Sequence, residues 1–478
     1  MMTKTDGRKM YVGGKWVEKA ETINVYDPED NTLITTVPKA TKEDMLEAIA
    51  LAEEGAKIAA SLPVHKRVSI INKAADYISK HRELYAETIA TEGSKTIKEA
   101  RIEVSRCINT LRLSAEEASR IHGETITFDQ MPGHENRVGY TYLFPIGIIG
   151  AITPFNDPLN LVAHKVGPAI ASGNAIIVKP STLTPISALL LAKAFDEAGL
   201  PPKILSVITG SGSEIGDTLV THPAIRMVSF TGGLETGEEI AKKAGLKKLS
   251  MELGSNSPAI VLEDADLEST IESCVSGAFW AVGQNCLGVQ RIFVMESIFP
   301  QFMEKFVGRT NEYKVGTKKA EETNMGPLIS EKEAIRVERL VDEAIQDGAR
   351  LLTGGKRNGA FYSPTVLTDV PAYSTIAREE IFGPVVILFP VKSLEEAIEK
   401  ANSVNYGLQA GIFTKNIDAA FEAIQKLEVG GVMINESSDY RIDAMPFGGV
   451  KGSGLGREGV KYAIQDMTEP RVVQFKLS

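Results

Sequence analysis

Apolar residues along this chain follow two rhythms, one of period two near the amino end and one of short buried runs spaced by helices thereafter. Between Tyr11 and Pro38 apolar and polar positions alternate around the turn signals Gly13-Gly14 and Asp27-Pro28-Glu29-Asp30-Asn31, which predicts short antiparallel strands. Residues 41–55 and 64–93 carry helical spacing, and Thr41 followed three positions on by Asp44 predicts an N-terminal capping box. From Leu143 onward, apolar runs at 148–152, 175–178, 204–209 and 227–230 are separated by helical patterns at 161–171, 185–198 and 212–221. Strands without a polar face, each followed by a helix, predict a parallel sheet covered on both sides, and such sheets bind ligands at their strand carboxyl ends.

A second alternation follows Glu252: a run at 259–262, a helix over 266–277, a run at 289–294, a helix over 299–309, then apolar regions around Ile387, Ile412 and Val432. The fold class is therefore α/β with two parallel-sheet units joined near residues 249–254, a junction where clefts form. Residues 123–142 and 472–477 read as extended strands outside either sheet. Unpaired edges of that kind find a partner chain, so a homo-oligomer is expected.

Length supports two or three subdomains, since 478 residues exceed what one hydrophobic core serves. A net charge of −10, with no long basic run, argues against nucleic acid or an anionic membrane as partner. Met1 to Asp6 lacks the apolar stretch of a secretory leader, and no apolar patch approaches a membrane span. The six histidines are scattered without ligand spacing, so no metal is expected. Three cysteines are too few for a disulfide framework, and a catalytic thiol needs a reducing compartment, which points to the cytoplasm.

The chemistry concentrates in two phrases. Cys286 stands in Gly283-Gln284-Asn285-Cys286, flanked by a flexible residue and two amides, whereas Cys107 and Cys274 lie in helical stretches and read as core. Glu252 stands in Met251-Glu252-Leu253-Gly254-Ser255. A thiol acylated by substrate needs a separate base to activate water, and a carboxylate can be that base. Each strand of the first unit also ends in a phrase suited to a nucleotide: Ile152-Thr153-Pro154-Phe155-Asn156, Lys179-Pro180-Ser181-Thr182, Gly210-Ser211-Gly212-Ser213-Glu214-Ile215-Gly216 and Phe230-Thr231-Gly232-Gly233. Helix N-termini attract phosphate and glycines admit its close approach. The usual Gly-x-Gly-x-x-Gly spacing is absent.

These phrases, together with Glu380-Ile381-Phe382-Gly383-Pro384 and Pro446-Phe447-Gly448-Gly449, resemble the aldehyde dehydrogenase superfamily over almost the whole chain, and most closely its lactaldehyde and phosphonoacetaldehyde branch. The resemblance implies a Rossmann-like NAD(P)-binding domain over 1–122 and 143–250, a catalytic domain over 251–440, and oligomerisation strands at 123–142 and 468–478 that build a homodimer or homotetramer. It implies Cys286 as nucleophile, Asn156 as oxyanion-hole amide and Glu252 as base for the deacylating water. NADP or NAD would be held by Ile152, Thr153, Pro154, Phe155, Lys179, Ser181, Thr182, Gly212, Gly216, Phe230, Thr231, Gly232, Gly233, Leu253, Glu380 and Phe382. Thr182 stands where family members often carry a glutamate that repels a 2′-phosphate, so exclusion of NADP is relaxed.

The implied activity is oxidation of a small hydrophilic aldehyde, with an anionic one favoured, to its acid. A helix over 99–119 carries Arg101, Arg106 and Arg112, and Arg441 precedes Pro446; Arg106 and Arg441 are expected to meet an anionic tail, with guanidinium forks suiting carboxylate, phosphonate or sulfonate. Asp157, beside the catalytic amide, opposes an anion unless an arginine pairs it. Alternatives are a semialdehyde dehydrogenase acylating coenzyme A, against which Glu252 argues, and a catalytically silent protein of the same fold, against which the intact Cys286, Asn156 and Glu252 argue.

Overall fold

In the computed structural model, residues 9–478 are described, and the leader reading of Met1 to Asp6 lies outside them. The first sheet has eight strands whose middle is parallel, in the order Leu205–Val207, Ala175–Lys179, Ile148–Ile152, Ile225–Thr231, Lys248–Glu252. Antiparallel strands close its two edges: Met10–Val12 with Lys15–Val17 on one side, Gly454–Leu455 on the other. Alternate residues of the central strands feed two cores. Ile149, Ala151, Ile176 and Val178 pack with Ile71, Ala74 and Ile78, while Ile148, Ala175, Ile177 and Val228 pack with Met45, Ala48, Ile49 and Ala52. Burial on both faces is why these strands read as continuous apolar runs.

The second sheet has seven strands, parallel from Thr365–Thr368 through Val385–Val391, Val289–Met295, Ser257–Val261 and Gln409–Phe413 to Gly431–Ile434, with Arg350–Thr353 antiparallel at one edge. A third, three-stranded sheet of Thr125–Ile126, Arg137–Pro145 and Thr468–Lys476 stands apart from both. After the second sheet the chain returns: the helix Val460–Asp466 puts Val460, Ala463 and Ile464 into the first core.

The capping box at Thr41 and Asp44 forms and starts the helix Lys42–Ser61. The helical reading of 64–93 divides into Val64–Lys80 and Arg82–Glu92, broken at His81, whose Nδ1 lies 2.8 Å from the Tyr77 carbonyl and competes with the backbone ladder. Residues 212–221 form a wide turn, Gly212–Gly216, before the short helix Asp217–Thr221, since glycines at both ends of that turn disfavour a regular helix start. Among the described residues no helix is long and apolar enough to cross a membrane.

Candidate active site

Every parallel strand of the first sheet points its carboxyl end at one cleft of about 880 Å³. Ile152, Thr153, Pro154, Phe155 and Asn156 line it from the first of these strand ends; Lys179, Ser181 and Thr182 from the next; Gly212, then Phe230, Thr231, Gly232 and Gly233, then Glu252 and Leu253 from the others. Glu380 and Phe382 face them from the second unit. Gly216 is the exception among the expected cofactor residues. It is buried in the wide turn and outside the cleft lining, because the turn carries it behind Gly212.

The residues of this cleft fit a dinucleotide. Thr153 Oγ1 and Thr231 Oγ1 are buried without a hydrogen-bond partner. Lys179 donates to the Pro180 carbonyl at 2.8 Å, and burial lowers its pKa to about 8; its remaining donors suit ribose hydroxyls. The helix Leu234–Ala244 begins at Gly233 with no side-chain cap, so its first amides are available to phosphate. Glu380 accepts from the Ser255 amide at 2.9 Å, and burial pushes its pKa up to about 7. It packs so closely on Gly254 that an added Cβ there would fall 2.4 Å from Glu380 Oε2. Phe382, at a left-handed φ of 47°, sets its ring edge-on to Phe155 at 5.7 Å.

Cys286 and Asn156 line both this cleft and a second cavity of about 330 Å³. The thiol packs on Leu287, Leu408 and Phe447. Burial pushes its pKa up to about 12, with Arg441 counteracting. Glu252 is buried with neither oxygen hydrogen-bonded. Burial first, then the neighbouring Glu458, raises its carboxyl well above the usual range. A buried carboxyl that lines the cleft without a hydrogen-bond partner from the protein is costly to keep and is the arrangement expected of a group held ready for proton transfer.

The second cavity contains Arg106, Asp157 and Arg441, but its charges are already paired. Arg441 donates to Glu458 at 2.8 Å and lies over the Phe447 ring at 3.7 Å. Arg106 bonds Asp443 at 2.9 Å and sits 3.5 Å from Asp157, which also contacts Lys95. The negative charge of Asp157 is thus neutralised by an arginine and a lysine. Arg101 and Arg112 turn outward, to Glu83 and Asp76, because their places on the helix Ile97–Ala118 face away from the cavity.

Behind the cavity stands a buried network that the sequence does not single out: Lys165 bonds Glu458, and His164 bonds Asp443. Burial alone would raise Glu458, yet Lys165 and Arg441 outweigh it and hold the carboxyl low. These residues are separated by up to hundreds of positions and carry no spacing signal. Tyr406, Glu333 and Arg336 in the cleft, and Trp280, Glu436 and Asp439 in the cavity, are likewise invisible to motif reading. Among the described residues no group of three His, Cys, Asp or Glu side chains could hold a metal ion.

A cleft suited to a dinucleotide that meets a thiol and a buried carboxyl defines the class of NAD(P)-dependent oxidoreductases. Comparison with known proteins narrows this. A model of the Aldehyde dehydrogenase family matches residues 16–473, and the chain belongs to that family. It is 49% identical over 94% of its length to aspartate-semialdehyde dehydrogenase 1 of Pseudomonas canavaninivorans, covering 96% of that protein. It is 45% identical over its whole length to 3-sulfolactaldehyde dehydrogenase of Priestia aryabhattai, covering 99% of it. The solved NADP-dependent glyceraldehyde-3-phosphate dehydrogenase of Bacillus halodurans, complexed with NADP, superposes with a TM-score of 0.96 at 40% identity over 98% of this chain and 99% of that one. The protein is an NAD(P)-dependent aldehyde dehydrogenase with the α/β fold of that family.

Proposed function

We propose that the chain oxidises a small hydrophilic aldehyde carrying an anionic group to its carboxylic acid, through a covalent intermediate on Cys286. The observation that carries this reading is the position of Cys286 and Asn156 in the wall common to the dinucleotide cleft and the 330 Å³ cavity, with Glu252 also lining the cleft. The Cys286 thiol gives its proton to solvent and attacks the aldehyde carbon as the thiolate, and the Asn156 amide with the Cys286 backbone amide holds the resulting oxyanion. A nicotinamide dinucleotide held in the cleft by Lys179, Glu380 and the helix start at Gly233 would supply the hydride acceptor that conversion of the thiohemiacetal to a thioester needs. Glu252 then takes a proton from water, which attacks the thioester carbon and frees the acid and the thiol. Water, not coenzyme A, is the acceptor in this reading because Glu252 is present and otherwise unbonded. The test is NAD(P)H absorbance with propanal, lactaldehyde, succinate semialdehyde, aspartate semialdehyde, phosphonoacetaldehyde and sulfolactaldehyde, each with and without coenzyme A. Turnover that requires coenzyme A would replace hydrolysis by acylation, and no turnover at all would leave a silent protein.

The anionic preference is supported chiefly by the substrates named for the two relatives, both of which carry acidic groups; the cavity offers Lys95, Arg106 and Arg441 as donors, balanced by Asp157, Glu436 and Asp439 in the same lining. Because Arg441 also pairs Glu458, Arg441→Ala should lower kcat/KM for every aldehyde, and for acidic ones by a further roughly ten- to hundredfold, the scale of a lost charge-assisted hydrogen bond of about 1.5–3 kcal/mol. Equal losses on propanal and on acidic aldehydes would show that Arg441 acts through Glu458 alone.

Thr182 places a hydroxyl, not a carboxylate, in the cleft beside Lys179 and Ser181, so both NADP and NAD should serve. In Thr182→Glu the new charge should repel a 2′-phosphate and shift the kcat/KM ratio toward NAD by roughly tenfold or more. A wild-type enzyme that already rejects NADP would refute this role for Thr182. The outlying three-stranded sheet exposes Val138, Tyr140, Tyr142, Val472 and Phe475, which suits burial in a cytoplasmic homodimer or homotetramer. A monomer in sedimentation at micromolar concentration would exclude that assembly.

A further inference from the structure

The turn that delivers Cys286 has an unusual backbone. Ala281, Val282 and Gly283 are consecutive residues at left-handed φ of 49°, 63° and 67°. L-residues visit this region singly, and a β-branched valine almost never does, so a run of three persists only where neighbouring groups hold it. Gly283 is obligatory here, since an added Cβ would fall 2.3 Å from the Gly383 carbonyl oxygen.

Two of the holding groups, Ser94 and Glu99, come from one short stretch of the first unit, and a third, the Ile329 amide, from the second. Glu99 Oε1 accepts from the Ala281 amide at 2.8 Å, across 182 residues of chain. Ser94 Oγ donates to Gln284 Oε1 at 3.0 Å, and the Ile329 amide donates to the same oxygen at 3.0 Å. Within the turn the Gln284 amide closes on the Ala281 carbonyl at 3.0 Å. Glu99 is itself fixed, because its Oε2 accepts from both the amide and the hydroxyl of Thr96, the N-cap of the helix Ile97–Ala118.

The same helix start reaches the other half of the chemistry. Lys95 contacts Asp157, the neighbour of Asn156, and also bonds Glu103 at 2.8 Å. Glu103 Oε1 in turn accepts from the amides of Leu159 and Asn160 at 2.8 and 3.1 Å, fixing the segment just beyond Asn156. One rigid helical turn therefore grips the loop of Cys286 with one carboxylate and the loop of Asn156 with another.

We propose that Glu99 is a positioning residue for acylation: by bonding the Ala281 amide it holds the left-handed turn in the conformation that aims Cys286 at a carbonyl whose oxygen lies against Asn156. This rests on Cys286 being the nucleophile. Glu99 touches neither substrate nor cofactor, so its effect falls on the rate of the first chemical step, leaving nucleotide affinity as it was.

The experiment is single-turnover formation of NADPH, with enzyme in excess over aldehyde, alongside nucleotide affinity and thermal unfolding. Glu99→Ala should slow the single-turnover rate constant roughly ten- to hundredfold, the scale of a hydrogen bond to a charged group, with nucleotide Kd within about twofold. Thr96→Ala, which removes the cap and the hydroxyl bond to Glu99 but leaves the Thr96 amide bond and the Glu99 to Ala281 bond, should lower Tm comparably yet keep the rate constant within about threefold. Glycine reaches positive φ freely, so Ala281→Gly should shrink the Glu99→Ala loss by about fivefold or more. If Glu99→Ala does not fold, Glu99→Gln decides: its single carbonyl oxygen cannot serve Ala281 and Thr96 together, and roughly a three- to tenfold slower rate is expected. A wild-type rate in the Glu99 variant tested, an equal slowing by Thr96→Ala, or a Glu99→Ala loss untouched by Ala281→Gly would each overturn the proposal. Persistence of turnover in Cys286→Ala would instead remove the nucleophile reading on which it rests.

Discussion

Cys286→Ala is expected to abolish aldehyde oxidation, with a loss in kcat of roughly four orders of magnitude or more, while NADP affinity stays within about twofold. The sulfur is the covalent partner of the aldehyde carbon in the proposed reaction, and no neighbouring group can substitute, since Cys107 and Cys274 are buried in other parts of the core. Nucleotide binding should survive because the cleft is built from the strand ends, and Cys286 is one residue among many in its lining. Single-turnover absorbance and nucleotide titration of the same preparation separate the two effects, and turnover near that of the unaltered enzyme would remove Cys286 from the mechanism. The thiol also sets a pH dependence. Its pKa is raised to about 12 by burial, and only the thiolate reacts, so alkylation by iodoacetamide should climb steadily between about pH 7 and pH 10 without levelling. A plateau reached below about pH 8 would mean that a partner lowers the thiol pKa more than Arg441 does.

Glu252→Gln should leave the first half of the reaction intact and cripple the second. A rapid release of one NADPH per active site is expected, followed by turnover slowed roughly 10²- to 10⁴-fold, the usual contribution of a positioned general base. The structure adds a sign to this. Burial and Glu458 raise the Glu252 carboxyl well above its ordinary range, and a base works only when deprotonated, so steady-state kcat of the unaltered enzyme should rise with pH through the neutral range and above. The glutamine variant should lose that rise, since an amide does not titrate. Loss of the rapid first release in Glu252→Gln would place the carboxylate earlier, at activation of the thiol.

The strand-ending phrases were legible because a parallel sheet imposes one rule on all of them: buried strands need continuous apolar runs, and the residues after each run must turn at the same edge. Thr153 to Asn156, Lys179 to Thr182 and Phe230 to Gly233 could be placed together from that rule, and they line one cleft. Gly216 shows its limit, for glycine content alone does not say on which side of a turn a residue ends. The arginines show a second limit. Helical spacing puts Arg101, Arg106 and Arg112 on one element, but only packing decides that Arg106 turns to Asp157 and Asp443 while the others meet surface carboxylates.

By itself the sequence determined the α/β alternation, the outlying strands, and Cys286 and Glu252 as candidates, because these depend on local periodicity and on residue chemistry that short phrases display, while Asn156 became a catalytic candidate through the family resemblance of its phrase. Tertiary structure alone decided what surrounds them. The bond from Glu99 to Ala281 joins residues 182 positions apart, that from Arg106 to Asp443 spans 337, and Lys165 to Glu458 spans 293. Pairings at such separations leave no period in the chain. They exist only because the sheets bring helix starts, loops and the returning carboxyl-terminal segment to one buried place, where low dielectric makes an uncompensated charge costly, so that Arg106, Lys165 and Arg441 are each paired while Glu252 is pushed toward its neutral form.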